Sequence, residues 1–417
     1  MTIWHINGGN RLEGSCFIQG SKNAVLPMLA ASVISGAETE LMNVPVLSDV
    51  SESLKILDSL GCRTEQQGND VYINTTSLSD ITVPGEMMRS MRSSVLFLGS
   101  ILARCGEAHI FSPGGCRLGA RPIDLHLDVM RQLGAEVIQN GDEIICRAEK
   151  LKGTKILLPI RSVGATENAM LAACGAEGTT EIIGAAMEPE IVDLQEYLRK
   201  LGAYIYGAGS DRIVINGFSP ESHAGHRVIP DRIVAATLFC AAAAAGGDVE
   251  LLGVVPEHFY QIQLFLNAAG CDIISGKRST RLRSDGKLHG AGRVSTAPYP
   301  GFPTDAQPLL MATLLKSDGC SVFAENIFEN RFSQVSELNR LGADIEVCGN
   351  TAVLHGTQRL KGTAVKASDL RGGAALLIAG LCAEGETLVF DDGYICRGYE
   401  KFDSKLRTLG ADIIMEM

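Results

Sequence analysis

The chain has 417 residues, of which 46% are hydrophobic and 20% are charged, and its formal net charge at pH 7 is −11. This length predicts about two to three domains. The acidic balance argues against a nucleic-acid or anionic-membrane partner, because phosphate-rich surfaces bind broad basic faces. The longest apolar run, residues 233–245, is too short to span a bilayer. No basic segment precedes an apolar one at the N-terminus, so we expect a cytoplasmic protein without a signal peptide.

The twelve cysteines are scattered singly, with no CxxC pair and no zinc-type spacing. We therefore expect no metal site and mostly reduced, buried thiols, as in the cytosol.

A helix-ending signal of the Leu-Gly-Ala type recurs six times along the chain. Its glycines are Gly61, Gly134, Gly202, Gly270, Gly342 and Gly410. They are 68 to 73 residues apart, and the first three map onto the last three with offsets of 208 or 209 residues. This pattern predicts six units in two sets of three. The polar stretch 216–225 is the predicted crossing between the sets.

Each unit shows the same order of predicted elements. An apolar helix comes first, as in residues 22–35 and 369–382, and a short strand follows, as in residues 38–44. An amphipathic helix and a hairpin complete the unit, with hairpin strands such as 343–347 and 351–355. Helices that alternate with short strands indicate an α/β fold class.

One thiol stands in a glycine turn within the second unit, in the sequence Pro113-Gly-Gly-Cys116, followed by Arg117 and Arg121. A helix is predicted directly afterwards, with Pro122 at its first position and Gly134 as its stop. The helix-start amides and two guanidinium groups form an anion site, and such a positive field favours a thiolate. We predict a reactive Cys116 beside a bound anion; the alternative is a buried structural thiol.

Isolated charges recur where the repeat places helix starts. First-helix starts fall at Lys22, Arg92, Ser162, Arg232, Asp305 and Arg371, and second-helix starts at Asp49, Arg121, Glu188, Glu257, Arg331 and Arg397. A cation at a helix start opposes the helix dipole unless an anionic ligand lies between it and the amides. Any one of these residues is more simply a solvated or ion-paired charge. As a set they favour a shared anion-binding cleft, which facing halves would close from both sides.

Several candidates carry two interpretations. Asp305 either caps a helix or acts in catalysis. Lys22-Asn23 is either an ordinary helix start or a phosphate contact. His126 and Cys396 are better interpreted as structural residues.

Nine sequence blocks together resemble one family from end to end. They are Gly20-Ser-Lys-Asn-Ala24, Met91-Arg-Ser93, Pro113-Gly-Gly-Cys-Arg-Leu-Gly-Ala-Arg-Pro122, Ser162-Val-Gly-Ala-Thr166, Glu188-Pro-Glu-Ile-Val-Asp193, Phe302-Pro-Thr-Asp305, Phe328-Glu-Asn-Arg-Phe332, Asp369-Leu-Arg371 and Arg397-Gly-Tyr399. The chain resembles the UDP-N-acetylglucosamine 1-carboxyvinyltransferase family of enolpyruvyl transferases. The sister 5-enolpyruvylshikimate-3-phosphate synthases share the sixfold architecture but lack the cysteine-bearing loop.

The resemblance implies a two-domain inside-out α/β barrel, the enolpyruvyl transferase fold, with three repeats in each domain. Residues 20–229 would form the domain that carries the Cys116 loop. Residues 1–19 and 230–417 would form the second domain.

The resemblance also implies the reaction. The enolpyruvyl group of phosphoenolpyruvate would pass to the 3-hydroxyl of UDP-N-acetylglucosamine with release of phosphate, the first committed step of peptidoglycan synthesis. Cys116 would protonate the methylene carbon and can carry a covalent adduct derived from phosphoenolpyruvate. Asp305 would take the hydroxyl proton, and Lys22, Arg121 and Arg397 would hold phosphate and carboxylate. No cofactor is implied, and a monomer suffices for the activity, although the resemblance fixes no oligomeric state.

A wider set of residues is implied to bind substrate. These are Lys22, Asn23, Arg92, Arg121, Pro122, Ile123, Asp124, Leu125, Ser162, Val163, Gly164, Asp305, Ile327, Arg331 and Arg371.

Three positions depart from the family pattern. Cys396 stands where an aspartate is expected, Val234 replaces an acidic residue, and Ile160-Arg161 replaces a lysine-bearing sequence. These departures fit a divergent copy or a second isozyme. Two alternatives stay open: an enolpyruvyl transferase acting on another hydroxyl, like 5-enolpyruvylshikimate-3-phosphate synthase, and a non-catalytic paralogue that binds UDP-sugars.

Overall fold

The computed structural model of the chain describes residues 1–113 and 123–416. These residues form two compact units. Residues 20–113 and 123–229 make up the first, here called the middle unit, and residues 1–19 and 230–416 make up the second, the terminal unit. The predicted crossing at residues 216–225 comes too early, because strand His223–Arg227 still pairs with Glu38–Met42 in the middle unit.

The middle unit contains three successive repeats. The first has helices Lys22–Ser35 and Ser48–Ser59 and strands Glu38–Met42, Arg63–Gln67 and Asp70–Asn74. The second has helices Gly85–Ser90, Leu96–Cys105 and Asp124–Gln132, the 3₁₀ turn Arg92–Val95, and strands Glu107–Phe111, Glu136–Asn140 and Glu143–Arg147. The third has helices Val163–Ala173 and Pro189–Leu201 and strands Leu151–Lys152, Lys155–Leu157, Ala176–Glu177, Thr180–Ile183, Ala203–Tyr206 and Arg212–Phe218.

The terminal unit opens with strands Thr2–Asn7 and Leu12–Phe17 and continues with three repeats after residue 230. The fourth repeat has helices Arg232–Ala245 and Tyr260–Ala268, the 3₁₀ turn Pro256–Phe259, and strands Gly247–Leu252, Asp272–Ser275 and Ser279–Ser284. The fifth has helices Gln307–Thr313 and Val335–Arg340, 3₁₀ turns Thr304–Ala306 and Leu314–Lys316, and strands Gly292–Ser295, Cys320–Ala324, Asp344–Cys348 and Thr351–His355. The sixth has helices Leu370–Cys382 and Phe402–Thr408, the 3₁₀ turn Ile395–Arg397, and strands Ala364–Lys366, Glu386–Asp391 and Asp412–Glu416.

The two N-terminal strands complete sheets that the later repeats leave unfinished. Leu12–Phe17 pairs in parallel with Gly247–Leu252 of the fourth repeat. Thr2–Asn7 lies antiparallel between Glu386–Asp391 and Asp412–Glu416 of the sixth. The α/β fold class is confirmed, and the described strands lie in separate sheets of two to four strands.

The core of each unit is built from the first helices of its three repeats. In Lys22–Ser35, every residue from Ala24 to Ser35 is buried, and Arg232–Ala245 and Leu370–Cys382 are buried at least as completely. A helix that is apolar on all sides is stable only when other elements surround it, which is why these segments are alanine- and leucine-rich. Their N-termini are therefore the parts at which polar residues are tolerated.

Close approach of two of these helices depends on a glycine. The Gly99 amide donates to Asn168 Oδ1 at 2.8 Å, where helix Leu96–Cys105 meets helix Val163–Ala173. A Cβ on Gly99 would overlap that oxygen and lie 2.8 Å from the Asn168 carbonyl oxygen.

No helix among the described residues is long and apolar enough to cross a membrane. Residues 1–113 and 123–416 also contain no cluster of three or more His, Cys, Asp or Glu side chains suited to a metal ion.

We expect Gly99→Ala to destabilise the protein by about 2–3 kcal/mol, because overpacking a tight core contact costs energy of that order. Urea unfolding followed by circular dichroism measures the change. Gly225→Ala is the matched control, since a Cβ there meets nothing within 4 Å. Equal midpoints for the two variants would contradict the close-packing argument.

Candidate functional site

Asp305 is the centre of a charged cluster in the terminal unit. It lies in the 3₁₀ turn Thr304–Ala306, directly before the buried helix Gln307–Thr313. Its side chain caps neither element, so the capping interpretation of Asp305 is wrong. The carboxylate therefore needs another explanation.

Two buried arginines supply that explanation. Asp305 Oδ1 accepts hydrogen bonds from Arg331 Nη2 at 3.0 Å and from Arg371 Nε at 3.2 Å. The arginine side chains are only 1% and 5% exposed, whereas the aspartate is 31% exposed. Both hydrogen bonds that described residues donate to this carboxylate fall on Oδ1.

The charges in this cluster fix one another's ionisation. Burial alone would raise the pKa of Asp305, but Arg371 and Arg331 outweigh it and hold that pKa well below its ordinary value. Burial opposes the charge of Arg371, but Tyr399 and Asp305 more than compensate and raise its pKa. At neutral pH, Asp305 is thus a carboxylate and Arg371 a guanidinium.

Neighbouring groups lock both arginines in place. Arg331 Nε donates to the Thr304 carbonyl oxygen at 3.0 Å. Arg371 Nη1 donates to the Tyr399 hydroxyl at 3.2 Å, and its guanidinium lies 5.5 Å from the Tyr399 ring centre. Asp369 caps the helix that begins at Leu370 and lies 3.7 Å from Arg331 Nη1. Each arginine therefore has further partners besides Asp305 that fix its orientation.

The helix caps modify the sequence argument about anion binding. Asp231 accepts from the Ile233 and Val234 amides, and Asp369 accepts from the Arg371 and Gly372 amides. These aspartates already accept hydrogen bonds from the helix-start amides beside Arg232 and Arg371. A ligand anion at these two starts would therefore be bound by the cationic side chains and not by the helix amides.

Two second-helix predictions are wrong. Arg331 lies in a turn four positions before helix Val335–Arg340, and Arg397 ends the 3₁₀ turn Ile395–Arg397, ahead of helix Phe402–Thr408. The repeat spacing is not regular enough to place these residues at helix N-termini. Their positions in the terminal unit are set by irregular backbone.

Two further sequence candidates lie in the same unit. Ile327 is 39% exposed, and its amide donates to Glu325 Oε1 at 2.8 Å. Cys396 is half-buried with its sulfur 4.0 Å from Met415 Sδ, and burial, together with Asp391 and Asp403, raises the pKa of its thiol. A raised pKa keeps Cys396 protonated, in line with its structural interpretation.

The middle unit carries its own cationic helix start. Lys22 is the first residue of helix Lys22–Ser35, and its Nζ lies 3.1 Å from Asp49 Oδ2. The two side chains are 12% and 7% exposed. Asn23 is the next residue along the helix and is half-buried. The pair holds the ammonium group in a fixed place.

Arg92 and Ser162 start the first helices of the other two repeats in this unit. Arg92 begins the 3₁₀ turn Arg92–Val95. Ser162 is the N-cap of helix Val163–Ala173, and its hydroxyl accepts from the Ala165 amide at 3.3 Å. Val163 and Gly164 form the first turn of that helix and are half-buried.

His126 explains why Gly164 is a glycine. The ring is buried, and its Nδ1 accepts from Asn168 Nδ2 at 3.0 Å. A Cβ on Gly164 would lie 3.1 Å from His126 Cε1. Burial, with a smaller contribution from Arg92, lowers the pKa of His126 to about 4, so the imidazole is neutral at physiological pH. His126 thus has the structural role expected from the sequence.

Part of the predicted reactive loop falls outside the described residues. Cys116, Arg117, Arg121 and Pro122 are among residues 114–122, which the structure does not describe. After this segment, Ile123 is the N-cap of helix Asp124–Gln132, and Leu125 is half-buried. Gly134 follows the helix with a φ of 92°, as a helix-stop glycine should.

The family departures differ in their surroundings. Val234 is fully buried in helix Arg232–Ala245, so an acidic residue there would have to be desolvated. Ile160 is 64% exposed and Arg161 is also exposed. Neither departure alters the contacts of Asp305 described above.

Sequence reasoning missed Asp49 and Glu325 as contributors to these clusters. The repeat marks Asp49 only as a helix-start charge, and Glu325 stands in no repeat position. Tyr399 was in a matching block, but nothing in the sequence indicated that its hydroxyl meets Arg371.

Comparison with known proteins supports a single family. A profile of the EPSP synthase (3-phosphoshikimate 1-carboxyvinyltransferase) family matches residues 6–406. UDP-N-acetylglucosamine 1-carboxyvinyltransferase 2 of Caldanaerobacter subterraneus subsp. tengcongensis is 42% identical over 417 residues, which cover 100% of both chains. The corresponding protein of Carboxydothermus hydrogenoformans is 46% identical over 410 residues, 98% of each chain.

A solved structure supports the fold independently. The enolpyruvyl transferase NikO from Streptomyces tendae superposes with a TM-score of 0.89 at 24% identity, covering 99% of this chain and 98% of NikO. The enolpyruvyl transferase fold expected from the sequence is confirmed. The chain belongs to the carboxyvinyltransferase family that the EPSP synthase profile defines, and within it to the UDP-N-acetylglucosamine 1-carboxyvinyltransferases.

Proposed function

We propose that this protein is an enzyme that transfers the enolpyruvyl group of phosphoenolpyruvate to the 3-hydroxyl of UDP-N-acetylglucosamine and releases phosphate. The observation that carries the proposal is the Asp305 carboxylate held between Arg331 and Arg371 in a chain that matches named transferases over its full length. Such a cluster offers both a proton acceptor and cations for an anionic substrate.

The substrates explain why an acidic protein has local cationic clusters. Phosphoenolpyruvate carries a phosphate and a carboxylate, and the nucleotide sugar carries a diphosphate. Arginine pairs with such groups through two parallel hydrogen bonds. We assign Arg371 and Arg397 in the terminal unit, and Lys22 and Arg92 in the middle unit, to these anions; Arg121, outside the described residues, joins them by family resemblance.

The proposed chemistry is an addition followed by an elimination. The Cys116 thiol gives its proton to the methylene carbon of phosphoenolpyruvate, while the sugar 3-hydroxyl oxygen bonds to the neighbouring carbon and passes its proton to Asp305. The carbon–oxygen bond to phosphate then breaks, phosphate leaves with that electron pair, and the methyl carbon returns a proton to the Cys116 thiolate as the double bond re-forms. Asp305 is ionised at neutral pH, as a proton acceptor requires.

The wider biological assignment follows from this reaction. We propose small-molecule substrates, a cytoplasmic location where nucleotide sugars are available, and a role at the first committed step of peptidoglycan synthesis. The proposed mechanism uses no cofactor and allows a covalent adduct of Cys116 derived from phosphoenolpyruvate.

Two alternatives give different measurements. An enzyme like 5-enolpyruvylshikimate-3-phosphate synthase would release phosphate with shikimate 3-phosphate and not with the nucleotide sugar. A non-catalytic paralogue would bind UDP-N-acetylglucosamine by calorimetry and release no phosphate with any acceptor. The intact cluster at Asp305 favours catalysis over the second alternative.

We expect phosphate release to require both phosphoenolpyruvate and UDP-N-acetylglucosamine. Cys116→Ala should lower kcat by at least about 100-fold, since it removes the acid that protonates carbon. Cys348→Ala is the control, because that thiol is exposed on hairpin strand Asp344–Cys348. A colorimetric phosphate assay measures kcat for both variants. Full activity of Cys116→Ala would rule out Cys116 as the proposed acid.

Fosfomycin should alkylate Cys116 and spare Cys396, because burial raises the pKa of the Cys396 thiol. Peptide mass spectrometry after treatment of active enzyme reports both sites. Modification of Cys396 with an unmodified Cys116 would show that the reactive thiol has been wrongly assigned.

Asp305→Asn should lower kcat by about 100- to 10,000-fold, the range for loss of a general base. Asp248→Asn is a matched control in the same unit: Asp248 is also paired with two arginines, Arg281 and Arg283, which lower its pKa to about 2. The control should keep wild-type kcat.

The pH dependence of kcat tests the same assignment. The arginines hold the pKa of Asp305 below its ordinary 3.8, so this carboxylate should stay ionised and create no acidic limb between about pH 5 and pH 8. A kcat for Asp305→Asn equal to that of the Asp248 control would refute a proton-accepting role.

A further inference from the structure

Gln19 links several segments of the terminal unit. It follows strand Leu12–Phe17 and is only 6% exposed. Its Nε2 donates to the Gly398 carbonyl oxygen at 3.3 Å. Its Oε1 accepts from the Glu400 amide at 3.0 Å and from Lys405 Nζ at 2.8 Å. Both ends of one side-chain amide therefore hold the same short stretch of backbone, residues 398–400.

That stretch lacks regular secondary structure of its own. It lies between the 3₁₀ turn Ile395–Arg397 and helix Phe402–Thr408. The Gly398 and Tyr399 amides donate to the Ile395 carbonyl oxygen of that turn, and the other peptide groups of the stretch need partners from elsewhere. Gln19 provides two of them, and Lys405 Nζ provides a third by donating to the Glu400 carbonyl oxygen at 2.9 Å.

The same stretch carries residues of the candidate site. Arg397 precedes it and Tyr399 lies within it. The Tyr399 side chain is 2% exposed, and its hydroxyl lies 3.2 Å from Arg371 Nη1 and 2.9 Å from Thr237 Oγ1. Arg371 in turn donates to Asp305. Gln19 is therefore connected to the proposed base through the backbone of residues 398–400, the Tyr399 hydroxyl and the Arg371 guanidinium.

Gln19 also touches a second part of the cluster through its backbone. Its carbonyl oxygen accepts from the Asp231 amide at 2.9 Å. Asp231 caps helix Arg232–Ala245. The guanidinium carbon of Arg232, the first residue of that helix, lies 5.6 Å from the Tyr299 ring centre. Changing the Gln19 side chain leaves this backbone hydrogen bond in place. Such a substitution therefore tests the side-chain hydrogen bonds of Gln19 separately from its backbone hydrogen bond.

We propose that Gln19, supported by Lys405, is a positioning residue that holds Arg397 and Tyr399 in the geometry needed to bind phosphoenolpyruvate. The inference rests on the proposed function. It assigns a role to a buried side chain that lies outside the matching sequence blocks. Displacement of a binding group by about 1 Å can lower activity about 100-fold. Loss of the Gln19 hydrogen bonds should therefore have a measurable effect on activity.

The test compares Gln19→Met with Gln263→Met in the full-length protein. Methionine keeps the length of the side chain and removes its hydrogen bonds. Gln263 is an equally buried control at 6% exposure, with hydrogen bonds to the Pro256 carbonyl oxygen and Ser275 Oγ at 2.6 and 3.0 Å. Steady-state phosphate release gives kcat and the KM of each substrate separately.

We expect Gln19→Met to raise the KM for phosphoenolpyruvate about 10- to 100-fold and to change the KM for UDP-N-acetylglucosamine less than about twofold. Gln19→Glu, which keeps the acceptors for Glu400 and Lys405, should lie between wild type and Gln19→Met. Lys405→Arg should likewise retain more activity than Lys405→Met. These graded effects distinguish positioning from a general loss of stability.

Hydrogen–deuterium exchange provides a readout that needs no activity. The Glu400 amide should exchange faster in Gln19→Met than in wild type and Gln263→Met, while amides of strand Glu386–Asp391 stay protected. Unchanged exchange at Glu400, or equal rises in both KM values, would overturn the inference. Wild-type protein that releases no phosphate would instead refute the proposed function, so the two failures can be told apart.

Discussion

The burial of three apolar helices in each unit is the constraint on which the rest of the structure depends. Helices such as Lys22–Ser35 and Leu370–Cys382 expose almost none of their surface, so polar chemistry is confined to their ends. The repeats bring these ends into equivalent positions, and the chain places Lys22, Arg232 and Arg371 there. Local cationic sites thereby arise in a protein whose formal net charge is −11.

Charge compensation then decides what these residues can do. Arg331 and Arg371 are nearly inaccessible to water, and a buried guanidinium is costly unless it is paired. Asp305 provides that pairing and in return has its pKa lowered, which makes it a weak base in the free protein. The cluster thus holds one carboxylate against two buried cations.

The departures from the family pattern are compatible with this chemistry. Cys396 is a half-buried thiol whose pKa is raised, and Val234 lies inside a buried helix, so neither contributes a charge to the cluster. Asp305, Arg331, Arg371 and Tyr399, which form the cluster, all stand within the sequence blocks that resemble the family.

Much of this protein could be predicted from the sequence alone. Glycine periodicity gave six units in two sets, apolar runs gave the buried helices, and the motif blocks gave the family, because each of these signals is local or regularly spaced. The sequence could not show that Asp305 pairs with two arginines, that Lys22 pairs with Asp49, or that Arg331 and Arg397 lie outside helix starts. It also gave no sign of Gln19, whose partners are almost four hundred positions away along the chain. Only tertiary folding brings such distant residues within hydrogen-bonding distance, so only the structure could decide these contacts.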